Sequence, residues 1–215
     1  MIILIGGEKG GTGKTTLATN LAQMRVNAGL GVLLVDSDKQ ESASSWAGLR
    51  EEIGIEPAIT TVQKVGKNIT RDLLDLAKRY DDLIIDAGGR DSVELRAAMV
   101  AADKLFIPVQ ASQFDVWTLG NMSELVDQAQ ALNPKLQAHV ILNRASTNPA
   151  VSEADEASEL FNDFENLHFT GVILRDRIAF RKASAGGLGV NELKPSDAKA
   201  QVEISQLYEV VFNEK

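Results

Sequence analysis

The sequence predicts an α/β fold, a single doubly wound, mostly parallel sheet flanked by helices, with residues 1–215 forming one domain. Three observations predict it. Short apolar runs recur at residues 2–5, 31–35, 83–86, 104–108, 138–144 and 169–174, continuous rather than alternating, as strands covered on both faces require. Apolar residues at helical spacing separate most of these runs. The first run stops at paired glycines, and several others end in polar or acidic residues, where open α/β sheets gather their ligands.

Glycine-rich residues 6–13 lead into Lys14-Thr15-Thr16. A strand, a glycine loop and a Lys-Thr pair opening a helix is the context that a phosphate-binding loop requires. Consecutive backbone N–H groups must curl around an anion, which glycines allow, and the helix adds its positive N-terminal end. The candidate cradle is Gly10, Gly11, Thr12, Gly13, Lys14, Thr15 and Thr16. Lys14 would reach the β- and γ-phosphates, and the Thr15 hydroxyl would hold Mg²⁺.

The common Gly-x-x-x-x-Gly-Lys-[Ser/Thr] spacing fails, because its first glycine falls on Glu8. What fits is Lys9-Gly10-Gly11-Thr12-Gly13-Lys14-Thr15, with a second lysine at the start. This resembles the deviant Walker A motif of the ParA/MinD family of P-loop ATPases. The resemblance implies ATP and Mg²⁺ as cofactors and an ATP-induced homodimer. In that dimer Lys9 crosses to the partner's nucleotide, while Lys14 acts within its own subunit. The alternative is a glycine-rich connection without a ligand.

Composition narrows the field. A chain of 215 residues with 44% hydrophobic content is long enough for one α/β domain with a sizeable core. No apolar run is long enough to cross a bilayer, and the start lacks the basic region of a secretory signal, so a cytoplasmic location is expected. The absence of cysteine removes disulfides, thiolate metal sites and cysteine nucleophiles. It also excludes the cluster chemistry of nitrogenase iron protein and the metalloid chemistry of ArsA-type ATPases, which share similar loops. A net charge of −8 argues against a wholesale nucleic-acid coat but leaves room for local basic clusters.

Along the chain, Leu17, Leu21, Met24 and Ala28 mark the first helix, with Gly29 as its C-cap. The strand at 31–35 ends in Asp36-Ser37-Asp38-Lys39-Gln40, similar to the family's Asp-x-Asp-Pro-Gln motif with Lys39 replacing proline. The resemblance gives Asp38 the attacking water and Asp36 a place in the magnesium shell; two solvated turn aspartates are the alternative. Residues 42–52 read as a helix with Trp46 in packing. Residues 58–62 and 69–77 read as a short strand and a helix.

The run at 83–86 ends in Asp86-Ala87-Gly88-Gly89 and resembles a Walker B element. Asp86 would hold a water on Mg²⁺, and the backbone N–H of Gly88 would approach the γ-phosphate unobstructed. Many relatives carry prolines here, so the glycines suggest a looser loop.

Residues 92–101 read as a helix capped by Ser92 or Asp91. Residues 108–115 resemble a family stretch near the dimer face and receive a scaffold role. Leu119, Met122, Leu125, Val126, Ala129 and Leu132 form a helical stripe expected in the core. Asn143 closes the strand at 138–144; the resemblance places it against the adenine edge, whose N7 and N6 an amide matches. Closing a turn is its other reading. His139, inside that strand, reads as packing. Residues 151–164 read as an acidic, solvated helix.

After the last strand come Arg175, Arg177, Arg181 and Lys182. Arg177 and Arg181 share a face if both are helical. The resemblance makes these four residues a non-specific DNA contact; arginines paired with the acidic helix before them, or one arginine packing near the nucleotide, are the alternatives. The tail at 197–212 carries an apolar stripe with acidic flanks, which favours docking on the domain over a MinD-like contact with anionic membranes.

The function this implies is an ATPase for plasmid or chromosome partition. It would bind nucleoid DNA and be stimulated by a centromere-binding ParB-type adaptor. With no helix-turn-helix before residue 2, operator binding would be left to that adaptor. Positioning of another intracellular cargo, and a MinD-like division-site role, are the other readings.

Overall fold

The apolar runs at 2–5, 31–35, 83–86, 104–108 and 138–144 become inner strands because they are buried on both faces, whereas the run at 169–174 becomes a partly exposed edge strand. In the computed structural model, which describes residues 1–66, 68–89, 91–110, 116–148 and 161–212, seven strands form one sheet. They are β1 (Ile2–Ile5), β2 (Val32–Asp36), β3 (Thr60–Gln63), β4 (Asp82–Asp86), β5 (Lys104–Val109), β6 (Gln137–Ala145) and β7 (His168–Arg175). Their order is β3-β2-β4-β1-β5-β6-β7, and every neighbouring pair is parallel. The expected "mostly parallel" sheet is thus wholly parallel among the described residues.

Alternate residues of each strand feed two apolar layers. Leu4, Leu33, Ile85, Leu105 and Val140 face one layer, covered by α3 (Ile69–Leu76), α4 (Val93–Ala101) and α5 (Val116–Gln130). Ile3, Ile5, Leu34, Ile84, Phe106 and Ile141 face the other. That layer is covered by α1 (Lys14–Asn27), α2 (Ser42–Glu52), α6 (Ile178–Ala185) and α7 (Ala198–Phe212). Each fully buried aliphatic side chain contributes roughly 1.5–3 kcal/mol, so the strand runs dominate the stability of the fold.

Local signals act as expected at several ends. Ser92 caps α4, its hydroxyl accepting the Leu95 N–H at 3.1 Å. Gly29 takes the left-handed conformation one residue past the Ala28 cap of α1. The stripe of α5 is buried through Ala129, but Leu132 is 74% exposed. The helix ends at Gln130, so Leu132 sits in the following turn rather than on the stripe. In α7, Ile204, Leu207, Val211 and Phe212 are buried against the domain, as the tail pattern predicts. No described helix is long and apolar enough to cross a membrane. Most of the acidic segment at 151–164, and residues 111–115 of the scaffold stretch, lie outside the described residues.

The topology fixes the position of the site. Strand β1 lies between β4 and β5, and the connection from β1 runs to β2 on one side while β4 leads to β5 on the other. The chain reverses direction across the sheet there, leaving a crevice at the strands' C-terminal edge.

Candidate nucleotide site

The glycine loop bridges β1 and α1 at this crevice, and a cleft of about 950 Å³ opens over it. Gly10, Gly11, Gly13, Lys14, Thr15 and Thr16 line one part of the cleft. Asp38, Gly88 and Gly89 line a second part, and Asn143 with residues 174–177, 180 and 181 forms a third.

The loop is held by its carbonyl oxygens, which leaves its N–H groups for an anion. The Lys9 carbonyl accepts Lys14 Nζ at 2.7 Å. The Gly11 carbonyl accepts Gln110 Nε2 and Arg144 Nη1, both at 2.8 Å. The Thr12 carbonyl accepts Asn143 Nδ2 at 2.7 Å. Gly13 favours glycine twice over: its φ is +92°, and a Cβ there would run into the Asn143 side-chain amide. Asn143 therefore lines the cleft where expected, yet its amide nitrogen is engaged by the loop. A two-point contact with adenine would require that bond to break.

Gln110 and Arg144 escaped sequence reading. Gln110 lies in the stretch treated as scaffold. Arg144 is visible only as the second member of the polar pair closing β6. Its backbone is left-handed, with φ 56°, an uncommon conformation for a non-glycine residue that turns the chain out of the strand toward the loop.

Acidic residues converge beside Lys14. Asp86 Oδ2 accepts the Thr15 hydroxyl at 2.6 Å, whereas Asp86 Oδ1 is buried without a partner. Burial pushes the Asp86 carboxyl up to about 7, against the Thr15 hydrogen bond, and neighbouring Asp36 adds to the rise. Burial also holds the Lys14 ammonium below the ordinary lysine range, with Asp86 and Asp38 pulling it back up. An unpartnered carboxylate oxygen beside a threonine hydroxyl is an all-oxygen donor set that suits Mg²⁺. That ion binds through one or two protein groups plus substrate phosphates rather than a full protein cage. Accordingly, no group of three or more His, Cys, Asp and Glu able to hold a metal occurs among the described residues. Thr15 and Asp86 are the residues that would hold Mg²⁺, which neutralises phosphate charge when bound.

Asp36 lies beside Asp86, its partner in the β2–β4 register. It is fully buried, and its oxygens accept the backbone N–H groups of Asp38 at 3.1 Å and Ser44 at 2.8 Å. It braces the Asp38 turn against α2. Asp38 itself is half-buried on the cleft, with its carboxylate against Gly88. Gly89 lies against Gly10, so the loop after β4 rests on the phosphate loop.

The basic cluster is divided by the fold. Arg177 is the N-cap residue of α6, in extended conformation, so it does not share a helical face with Arg181. Its guanidinium donates to Glu203 at 2.6 Å, and Arg175 Nη1 lies 3.6 Å from the same carboxylate. Both arginines line the cleft. Arg181 and Lys182 stay exposed, and no ion pair ties them among the described residues.

Comparison with known proteins places this geometry. The CobQ/CobB/MinD/ParA nucleotide-binding domain matches residues 3–190. The chain is 28% identical over 216 residues to "Maintenance of carboxysome distribution protein A" of Halothiobacillus neapolitanus, covering 98% of this chain and 95% of that one. It is 33% identical over 167 residues to "Chromosome-partitioning ATPase Soj" of Thermus thermophilus, covering 65% and 67%. The apo McdA structure from Cyanothece shares the fold with a TM-score of 0.78 at 19% identity, over 98% of both chains. The matched region runs from β1 past α6 and takes in the phosphate loop, Asp38, Asp86 and Asn143 together. The chain belongs to the CobQ/CobB/MinD/ParA nucleotide-binding family, and it is an ATPase of the ParA/MinD type.

Proposed function

We propose that this chain is a nucleotide-switched positioning ATPase that moves an intracellular cargo over nucleoid DNA. The observation that carries the reading is the closure of the loop after β4 on the phosphate loop. A Cβ on Gly89 would lie 2.8 Å from both Gly10 N and Cα and 3.1 Å from Lys14 Nζ, and one on Gly88 would lie 3.3 Å from the Asp38 carboxylate carbon. A γ-phosphate entering between Lys14 and the Gly88-Gly89 backbone would press on this loop, whereas a diphosphate, lacking it, would not. The γ-phosphate is thereby converted into a loop position, which is what a switch needs.

In this reading ATP closes two subunits face to face. Lys9 of each would stabilise charge on the other's phosphates, as an arginine finger does. Asp38 would hold the attacking water, and its loop, braced by Asp36, moves with Gly88. Closure brings two copies of Arg181 and Lys182 together as a DNA contact. The full-length likeness to a carboxysome-distribution protein favours a protein assembly as cargo. Partition of a replicon through a ParB-type adaptor is the second reading, favoured by the likeness to Soj.

The test is binding of purified chain to non-specific DNA and to anionic liposomes with ATP, with ADP and without nucleotide. The reading expects DNA binding with ATP only, lost in an Arg181→Ala, Lys182→Ala double variant. With about four phosphates neutralised per dimer, the log–log salt slope would be roughly −3 to −4. Binding to liposomes but not DNA would overturn it.

A further inference from the structure

The cleft has two ends. Lys14 and Thr15 mark the phosphate end, so the nucleoside must extend toward the wall formed by Leu174, Arg175, Asp176, Arg177 and Phe180. That wall is the turn between β7 and α6, and its shape is fixed from outside the cleft.

Glu203 on α7 does the fixing. It is 6% exposed, on a helix whose other buried side chains are apolar. Both of its oxygens face the turn: Oε2 accepts the Arg175 backbone N–H at 3.0 Å. Oε1 accepts Arg177 Nε at 3.0 Å and Nη2 at 2.6 Å. A carboxylate this buried is tolerated only when hydrogen bonds and an opposite charge satisfy it, and here all of those come from the cleft wall. The turn is tied from the sheet side as well. The Asp176 N–H donates to the Ala145 carbonyl at 2.9 Å, and Arg144 Nε lies 3.5 Å from Asp176 Oδ1. Arg144 in turn holds the Gly11 carbonyl of the phosphate loop. The turn is therefore held from both sides, by Glu203 on α7 and by the end of β6.

We propose that Glu203 is a positioning residue for the nucleotide: it presets the Arg175–Arg177 turn that walls the nucleoside end of the cleft, and so couples docking of α7 to ATP binding. Such coupling is reciprocal, so ATP must tighten α7 by the same free energy by which docked α7 tightens ATP. The proposal rests on ATP occupying the cleft and is independent of which cargo the ATPase carries.

The test compares affinities for Mg·ATP and Mg·tripolyphosphate, which lacks the nucleoside, in the wild-type chain, Glu203→Gln and Arg177→Lys. Leu207→Val, which loosens α7 in the apolar core, probes the same coupling from the helix side. Glu203→Gln is expected to weaken ATP about tenfold, within the usual range for coupled sites, and to leave tripolyphosphate within about twofold. Arg177→Lys, which keeps the charge but loses the fork, and Leu207→Val, which loosens α7, each shift ATP in the same direction by less and leave tripolyphosphate unchanged. Hydrogen exchange over residues 198–212 gives the reciprocal readout: ATP slows it in the wild type and not in Glu203→Gln. Equal weakening of both ligands in Glu203→Gln, unchanged ATP affinity, or no effect of ATP on exchange in the wild type overturns the proposal. Failure of the wild type to bind ATP at all would instead count against the nucleotide site itself.

Discussion

The ammonium of Lys14 donates to the backbone carbonyl of Lys9 at 2.7 Å, so the two lysines that define the loop are joined within one subunit. Lys14 is 6% exposed, and its charge faces Asp86 and Asp38 across a site meant for phosphate. The contact pins the start of the loop through its backbone and uses none of the Lys9 side chain. Removal of either lysine should therefore have separable effects. Lys14→Gln is expected to lose ATP binding, because the phosphate charge and the loop's internal tie go together. Lys9→Ala is expected to bind ATP within about threefold of wild type yet hydrolyse it at least a hundredfold more slowly, a loss typical of removing one transition-state charge. Titration with a fluorescent ATP analogue and a phosphate-release assay measure the two quantities. Equal loss of binding in both variants would show that Lys9 works inside its own subunit.

Gly88 and Gly89 are adjacent but should respond very differently to a methyl group. At Gly89 the added carbon meets backbone, 2.8 Å from Gly10 N and Cα, where nothing flexible can give way. At Gly88 it meets the end of the Asp38 side chain at 3.3–3.5 Å, which can rotate. Gly89→Ala is expected to cost the nucleotide-free fold about 1–3 kcal/mol, the usual range for overpacking, or to force the loop open. Either way its Tm should fall by several degrees, while Gly88→Ala stays within about a degree or two. Calorimetry without nucleotide separates them, and similar Tm values would mean that the loop does not rest on Gly10 in solution.

Much of this site was readable in the chain. Lys14, Thr15 and Asp38 line the cleft, with Asp86 buried directly behind Thr15, because strand-end and loop positions in a parallel sheet project to one edge, and local sequence alone marks those positions. Asp36 pairs with Asp86 in the β2–β4 register and is fully buried beside it. A sequence gives the Asp-x-Asp spacing but not that the Asp36 oxygens accept two backbone N–H groups. Arg177 was grouped with Arg181 on a helix that begins one residue too late to include it. Its partner, Glu203, lies 26 residues away, and no periodicity links an acid on a tail helix to an arginine in a turn. Gln110 and Arg144 were hidden for the same reason, since their role is to hold a carbonyl of a distant loop.

His139 was expected to pack, and its ring stacks on Phe106 with centroids 5.0 Å apart and Nε2 buried without a partner. Burial lowers its pKa to about 4, with His168 and Lys104 adding to the shift. The unfolded chain, with histidine near 6.5, therefore binds more protons than the folded chain between pH 6.5 and 4. Stability from neutral His139 is present above pH 6.5 and lost as the pH falls through that window. The shift would give about 2 kcal/mol at pH 5, reduced to roughly 1 kcal/mol because the residue is only half-buried. His139→Phe should thus gain roughly that amount relative to wild type between pH 7.5 and pH 5, measured by urea unfolding at both values. A constant difference across that range would mean that His139 titrates normally in the fold.

Arg50 is the largest polar side chain in the core, 1% exposed, and its guanidinium forks onto Glu192 with two bonds of 2.7 Å. It also donates to the Gly187 and Pro57 carbonyls at 3.3 Å and sits 5.7 Å from the Trp46 ring centroid. This joins α2 to the segment between α6 and α7, far from the phosphate loop in sequence. Desolvating the pair offsets much of its attraction, so the pair as a whole adds little, whereas half of it is costly. Glu192→Ala leaves a buried guanidinium without its counter-charge and is expected to cost about 3–5 kcal/mol. The Arg50→Met, Glu192→Leu double variant removes both charges while keeping volume, and should recover most of that loss. Urea unfolding of the two variants decides the matter. A double variant no more stable than Glu192→Ala would show that the carbonyl bonds and the Trp46 contact, rather than the ion pair, are what Arg50 supplies to the core.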